Sequence, residues 1–103
     1  MQKINMTIAL NNRKGEELKE NGEPVILRDV LLMTIDGSLP GDDSLESRKK
    51  LRLFKLGQKV ALEDEMSFTA EDITLLLERA NKVFPAMVYG QIVSLLDPSQ
   101  LDD

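Results

Sequence analysis

The first residues alternate. Ile4, Met6, Ile8 and Leu10 point one way and Asn5, Thr7 and Ala9 the other, the period-two pattern of a half-buried strand. Asn11-Asn12-Arg13-Lys14-Gly15 breaks the pattern with turn residues. Asn21-Gly22 is a second turn signal, a pair that readily supplies the two positive φ angles of a two-residue hairpin. Pro24, just past it, suits the start or the edge of a strand. The pattern predicts a small antiparallel meander over 3–10, 16–20 and 24–27, with a highly charged middle strand.

From Arg28 the period changes. Val30, Leu31, Leu32, Met33 and Ile35 predict a short helix too apolar to face solvent, ended by Asp36-Gly37-Ser38 and the polar loop Pro40-Gly41-Asp42-Asp43. A helix over 45–59 follows, with Ser44 or Asp43 as its cap and Glu46 in its first turn. Its Leu45, Leu53, Leu56 and Val60 share one face, Leu51 and Phe54 point elsewhere, and Gly57 reads as the start of its end. After a short strand near 65–68, Thr69-Ala70-Glu71-Asp72 is close to a capping box. Ile73, Leu76, Leu77, Ala80, Val83 and Phe84 then form one stripe of a core helix. Pro85 bends the chain into a last helix over 86–96, with Val88, Ile92, Leu95 and Leu96 on one face, and Asp97-Pro98 stops it. The expected architecture is α+β in a single domain over 1–103. A β-meander over 1–27 packs against three or four helices within 28–96, and 97–103 is a frayed acidic tail.

Composition narrows the chemistry. Of 103 residues, 42% are hydrophobic and 30% charged, enough for one globular core. The chain has no Cys and no His, which excludes disulfides, thiolate nucleophiles, Ser-His-Asp arrangements and the commonest metal ligand. The dense acidic groups, Asp42-Asp43 with Glu46 and Glu63-Asp64-Glu65, lack the spacing of a calcium loop, and no phosphate-binding glycine-rich loop is present. Four aromatics, Phe54, Phe68, Phe84 and Tyr89, are few to line a substrate cleft. The expectation is a protein that is not an enzyme, with no catalytic residue, metal, cofactor or small-molecule substrate. Apolar runs such as Val30 to Met33 stop after four residues, and no charged-then-apolar leader opens the chain. A cytoplasmic protein without a membrane segment is therefore expected.

The net charge of −5 hides a division. Residues 1–60 carry eleven Lys/Arg against nine Asp/Glu, whereas residues 61–103 carry two against nine. Arg48, Arg52, Lys55 and Lys59 recur at i, i+4, i+7 and i+11, with Lys49 and Lys50 nearby. Such a stripe suits a solvated face, a dock for the chain's own acidic half, or an acidic protein partner. It can also track phosphates, but the negative net charge, the absence of a helix-turn-helix signal and the lack of stacking aromatics count against nucleic acid as a partner. Leu51 and Phe54, off the core stripe and set among cations, suit either a second packed side of the helix or apolar anchors that neighbouring charges orient. The candidate partner-binding residues are Arg48, Leu51, Arg52, Phe54, Lys55 and Lys59. Leu51-Arg52-Leu53-Phe54 also resembles the end of peptides that dock on bacterial sliding clamps, but those are extended tails with a leading Gln, and here Lys50 leads a helix.

Taken together, several segments resemble small uncharacterised proteins of tailed bacteriophages and prophages. They are Met-x-Lys-Ile-Asn at Met1 to Asn5, Leu-x-Asp-Val-Leu at Leu27 to Leu31, Thr69-Ala70-Glu71-Asp72-Ile73, and Pro-x-x-Val-x-Gly-Gln at Pro85 to Gln91. The resemblance implies a phage or prophage origin and brings no activity and no site residues. Gly90 and Gln91 are the least explained by packing, and Gly90 suggests close approach of another helix. Two roles remain open. One is a non-catalytic protein-binding module that modulates a host or phage protein. The alternative is a head or tail assembly component, or a chaperone, working as an oligomer in which the basic stripe meets the acidic 61–103 surface of a neighbour.

Overall fold

Alternation in the first segment lasts two residues. In the computed structural model, which describes residues 3–101, strand β1 is Ile4–Asn5. Asn5 then turns the chain, its Oδ1 accepting the Thr7 backbone N–H (2.9 Å) and hydroxyl (2.7 Å). This is the local bonding by which Asn competes with a strand ladder. Beyond the turn the expected face is lost: Met6 and Leu10 are buried and Ile8 is exposed. β1 pairs antiparallel with β4 (Glu65–Met66), placing Ile4 opposite Met66 and Asn5 opposite Glu65.

The rest of the expected meander reduces to a hairpin, β2 (Lys19–Glu20) against β3 (Glu23–Pro24), around Asn21 (φ 54°) and Gly22 (φ 84°). Both residues of β2 are exposed, so its charges gain no buried face that would extend the strand. Residues 9–11 join the hairpin through isolated bridges, Ala9 to Ile26 and Asn11 to Glu17. Leu27, expected to end a strand, is fully buried as the first residue of a helix.

Four helices complete the α+β fold: α1 (Leu27–Asp36), α2 (Ser47–Leu62), α3 (Ala70–Val83) and α4 (Ala86–Leu96). The Asp29 carboxylate accepts the Ile26 N–H at 3.2 Å and sets the start of α1. Neither Asp43 nor Ser44 caps α2: Asp42–Ser44 form a 3-10 turn, and α2 begins after Glu46 without a side-chain cap. Gly57 does not end α2. The helix runs through it, and a Cβ there would lie 3.4 Å from Cγ2 of Ile35 on α1, an ordinary van der Waals contact. α3 starts with the expected capping box, Thr69 Oγ1 accepting from the Asp72 N–H and Asp72 Oδ2 from the Thr69 N–H, each at 3.1 Å. Leu76, Leu77 and Ala80 are buried as expected, but so are Leu75 and Arg79, because α3 packs against both α1 and α4. In the expected acidic tail, Pro98–Leu101 form a 3-10 turn, and the Asp97 carboxylate accepts from Ser99 Oγ (2.6 Å) and Gln100 Nε2 (2.9 Å). Residues 102–103 lie outside the described residues.

Three arginines tie the helix ends in a ring. Arg28 of α1 donates to the Val60 and Glu63 carbonyls at the end of α2 (2.9 Å each) and to Asp64 (2.8 Å). Arg52 of α2 pairs with Asp72 (2.7 Å) and Glu71 (2.8 Å) in the first turn of α3. Arg79 of α3 donates to the Thr34 and Gly37 carbonyls at the end of α1 (2.9 and 2.8 Å) and to Asp42 (2.9 Å). Helix ends carry unpaired carbonyls at one terminus and partial positive charge at the other, so cations suit the first and carboxylates the second. Among the described residues no helix is long and apolar enough to cross a membrane.

A candidate protein-interaction face on α2

α2 holds Arg48, Lys49, Lys50, Arg52, Lys55 and Lys59 and no carboxylate. Its Leu53, Leu56 and Val60 are buried. On the other side Leu51 is 60% exposed, Phe54 63% and Leu62 84%. At about 100° per residue, Leu62 lies about 20° from Leu51 and Phe54 about 60° to its other side. The three therefore form one outward apolar strip. Leu62 is missing from the expected set because a helix stopped at residue 59 excludes it; the apolar period carried past Gly57 reaches it. A clamp-type extended peptide is not available here, since residues 51–54 are helical and Leu53 is buried.

Beside the strip runs a groove of about 800 Å³ between α2 and α3. Arg48, Lys55 and Lys59 stand on its α2 wall, Glu71, Asp72 and Glu78 on its α3 wall, and Leu56 and Leu75 are buried beneath. Leu51 reaches its rim; Phe54 does not line it. Arg52 bridges the groove to Asp72 and Glu71, so it is not a free orienting charge. That part of the stripe docks the chain's own acidic half. Burial acts to raise the Asp72 pKa, but the Arg52 hydrogen bond and the Thr69 N–H outweigh it and hold the carboxyl below the usual range. Arg48, Lys55 and Lys59 make no ion pair among the described residues.

The acidic groups are drawn apart. Asp42 turns to Arg79 and accepts the Leu39 N–H at 2.9 Å, and the Arg79 hydrogen bond depresses its pKa. Asp64 turns to Arg28. Among the described residues no three carboxylates gather where they could hold a metal ion.

Gln91 pairs like a strand residue. Its Oε1 accepts the Asn11 N–H and its Nε2 donates to the Asn11 carbonyl, both at 2.7 Å. No local pattern reports a partner eighty positions away. Beside it, a Cβ on Gly90 would meet nothing within 4 Å, so the expected close helix approach is absent in this chain. Comparison with protein-family models, with curated proteins and with solved structures finds no match to this chain.

Proposed function

We propose that this chain is a non-catalytic protein-interaction module, of the kind tailed phages and prophages encode, which modulates a host or phage protein in the bacterial cytoplasm through the outward face of α2. The observation that carries the reading is the strip Leu51, Phe54 and Leu62, exposed on a helix whose every charge is positive. Apolar groups held in water are stabilised when a partner covers them, and unpaired cations at the edge steer that partner. The placement of the carboxylates supports the non-catalytic part. Asp42, Asp64 and Asp72 are each bound to an arginine that ties two helices. The oligomeric assembly role is favoured by one observation of its own, the cations at one end of α2 and the acidic residues just past the other.

Since the chain has no cysteine, Gln58→Cys places a single photocrosslinking label amid the strip, and Ser94→Cys places one on the exposed side of α4. In a bacterial lysate the label at 58 should give discrete protein adducts that unlabelled protein competes away, and the label at 94 should not. Absent adducts at 58, or the same adducts at both positions, would overturn the reading.

A further inference from the structure

We propose that Asn21, at the tip of the β2–β3 hairpin, is a site of spontaneous covalent modification: its carboxamide cyclises onto the Gly22 backbone nitrogen and opens to aspartate and isoaspartate. The site is independent of the α2 face.

Ring closure has three requirements. The backbone nitrogen after the asparagine must be free to lose its proton, the carboxamide must be free to turn toward it, and the next residue must leave room for the ring. Asn21-Gly22 meets all three. Both residues are exposed, and neither the Asn21 side chain nor the Gly22 N–H makes a hydrogen bond among the described residues. Gly22 has no side chain, and even a Cβ built there would meet nothing within 4 Å.

The other four asparagines are held. After Asn5 the Met6 N–H donates to the Asp64 carbonyl at 2.7 Å, and after Asn11 the Asn12 N–H donates to the Glu16 carbonyl at 2.8 Å. The Asn12 carboxamide accepts the Lys14 and Glu16 N–H groups at 2.9 and 3.1 Å. Asn81 lies inside α3, where the next N–H belongs to the helix ladder.

The hairpin also opens readily. β2 and β3 have two residues each, all exposed, and Glu20 stands opposite Glu23, a like-charge pair that works against closure. The closed turn holds Asn21 at φ 54°, and opening the hairpin frees its backbone angles for ring closure. Such local opening leaves the helices folded.

In the first step the deprotonated Gly22 nitrogen adds to Cγ of Asn21, the Cγ–Nδ2 bond breaks and ammonia leaves, closing a five-membered imide. Water then opens the imide at one of its two carbonyls. Breaking the new bond leaves an ordinary aspartate. Breaking the original peptide bond leaves isoaspartate, whose main chain runs through the side-chain carbonyl and is one methylene longer. Water is consumed, ammonia is released, and nothing is oxidised or reduced. Either product adds a carboxylate beside Glu20 and Glu23. The longer one also breaks the two-residue turn, whose length sets the register of the hairpin.

Ageing the whole chain at neutral pH tests the site, with digestion at intervals and fragmentation that distinguishes isoaspartate from aspartate. Asn21 should gain the mass of an amide-to-acid exchange, with isoaspartate in excess, while Asn5, Asn11, Asn12 and Asn81 keep their amides. In urea, where every asparagine is free, Asn21 should react no more than about tenfold faster than in the folded protein, because only the hairpin has to open. Asn21→Gln should keep its amide, since its ring would be six-membered and slow to close; the readout is mass, so a perturbed turn does not obscure it. In the aged, more acidic fraction the Val25 N–H, which donates to the Leu18 carbonyl at 2.8 Å, should exchange faster while the helix amides keep their protection. Conversion at Asn21 no faster than at the other asparagines, or protection in the folded protein beyond that factor, would overturn the proposal.

Discussion

Among the described residues Arg79 and Thr34 are the buried polar ones, and they are bonded to one another: the Arg79 Nε donates to the Thr34 carbonyl at 2.9 Å. The Thr34 hydroxyl is already satisfied by the Val30 carbonyl at 2.8 Å. The guanidinium therefore closes the backbone at the end of α1, taking the Gly37 carbonyl and Asp42 as well. A buried cation is tolerated when its donors are matched, and removing it strands the acceptors.

Arg79→Ala should therefore cost about 3 kcal/mol or more in urea unfolding, because it leaves two carbonyls and a carboxylate without their donor. Arg79→Lys should recover less than half of that, since one ammonium cannot reach acceptors the planar fork spans. Full recovery by lysine would mean that charge alone, and not the fork, holds the end of α1.

Leu76 is fully buried on α3 and Phe54 is exposed on α2. Leu76→Ala should cost about 2–5 kcal/mol through lost burial and the cavity it leaves. Phe54→Ala should change stability by no more than about 0.5 kcal/mol. The contrast is read by chemical denaturation of the two variants side by side; equal losses would place Phe54 in the core.

Gly90 lies inside α4 with open space where its side chain would be. Gly90→Ala should stabilise the protein by about 1 kcal/mol, the difference in helix propensity. A lower melting temperature would show that the position is kept clear for a neighbour.

Gln91→Ala removes both bonds to the Asn11 backbone. The Asn11 amide should then exchange with solvent markedly faster, while global stability falls by about 1 kcal/mol, because the freed groups can turn to water. Amide exchange followed residue by residue separates the two effects.

Asp42, Asp72 and Asp97 all have depressed pKa values, Asp42 through Arg79, Asp97 through Ser99 and Gln100, and Asp72 through Arg52 and Thr69 against its burial. A carboxyl with a lower pKa folded than unfolded adds stability above its unfolded value, about 3.9, and loses it as pH falls through the folded value. Stability should thus hold from neutral pH to about pH 5 and decline below about pH 4. Asp72→Asn should lower the plateau and flatten the acid decline, measured as urea midpoints against pH.

The helices were legible because their signals are local. The Thr69-Asp72 capping box, the apolar stripe of α3 and the break at Pro85 each act within a turn or two of chain, and so does the Asn21-Gly22 turn. The exposure of Leu51 and Phe54 was not legible in the same way: their place off the core stripe suited a second packed side as well as an outward face, and only the fold leaves that side of α2 uncovered. What needed the tertiary structure is everything whose partner is distant. β1 reads as a long strand until Asn5 turns on Thr7 and Glu65–Met66 becomes its neighbour. Arg79 falls among the apolar residues of α3, and only the folded end of α1 makes that position suitable for a cation. Arg52 is one of six like charges by sequence and one bridge to Asp72 by structure. Periodicity reports which side of an element is buried; which polar group meets which is decided when the elements pack and each buried donor must find its acceptor.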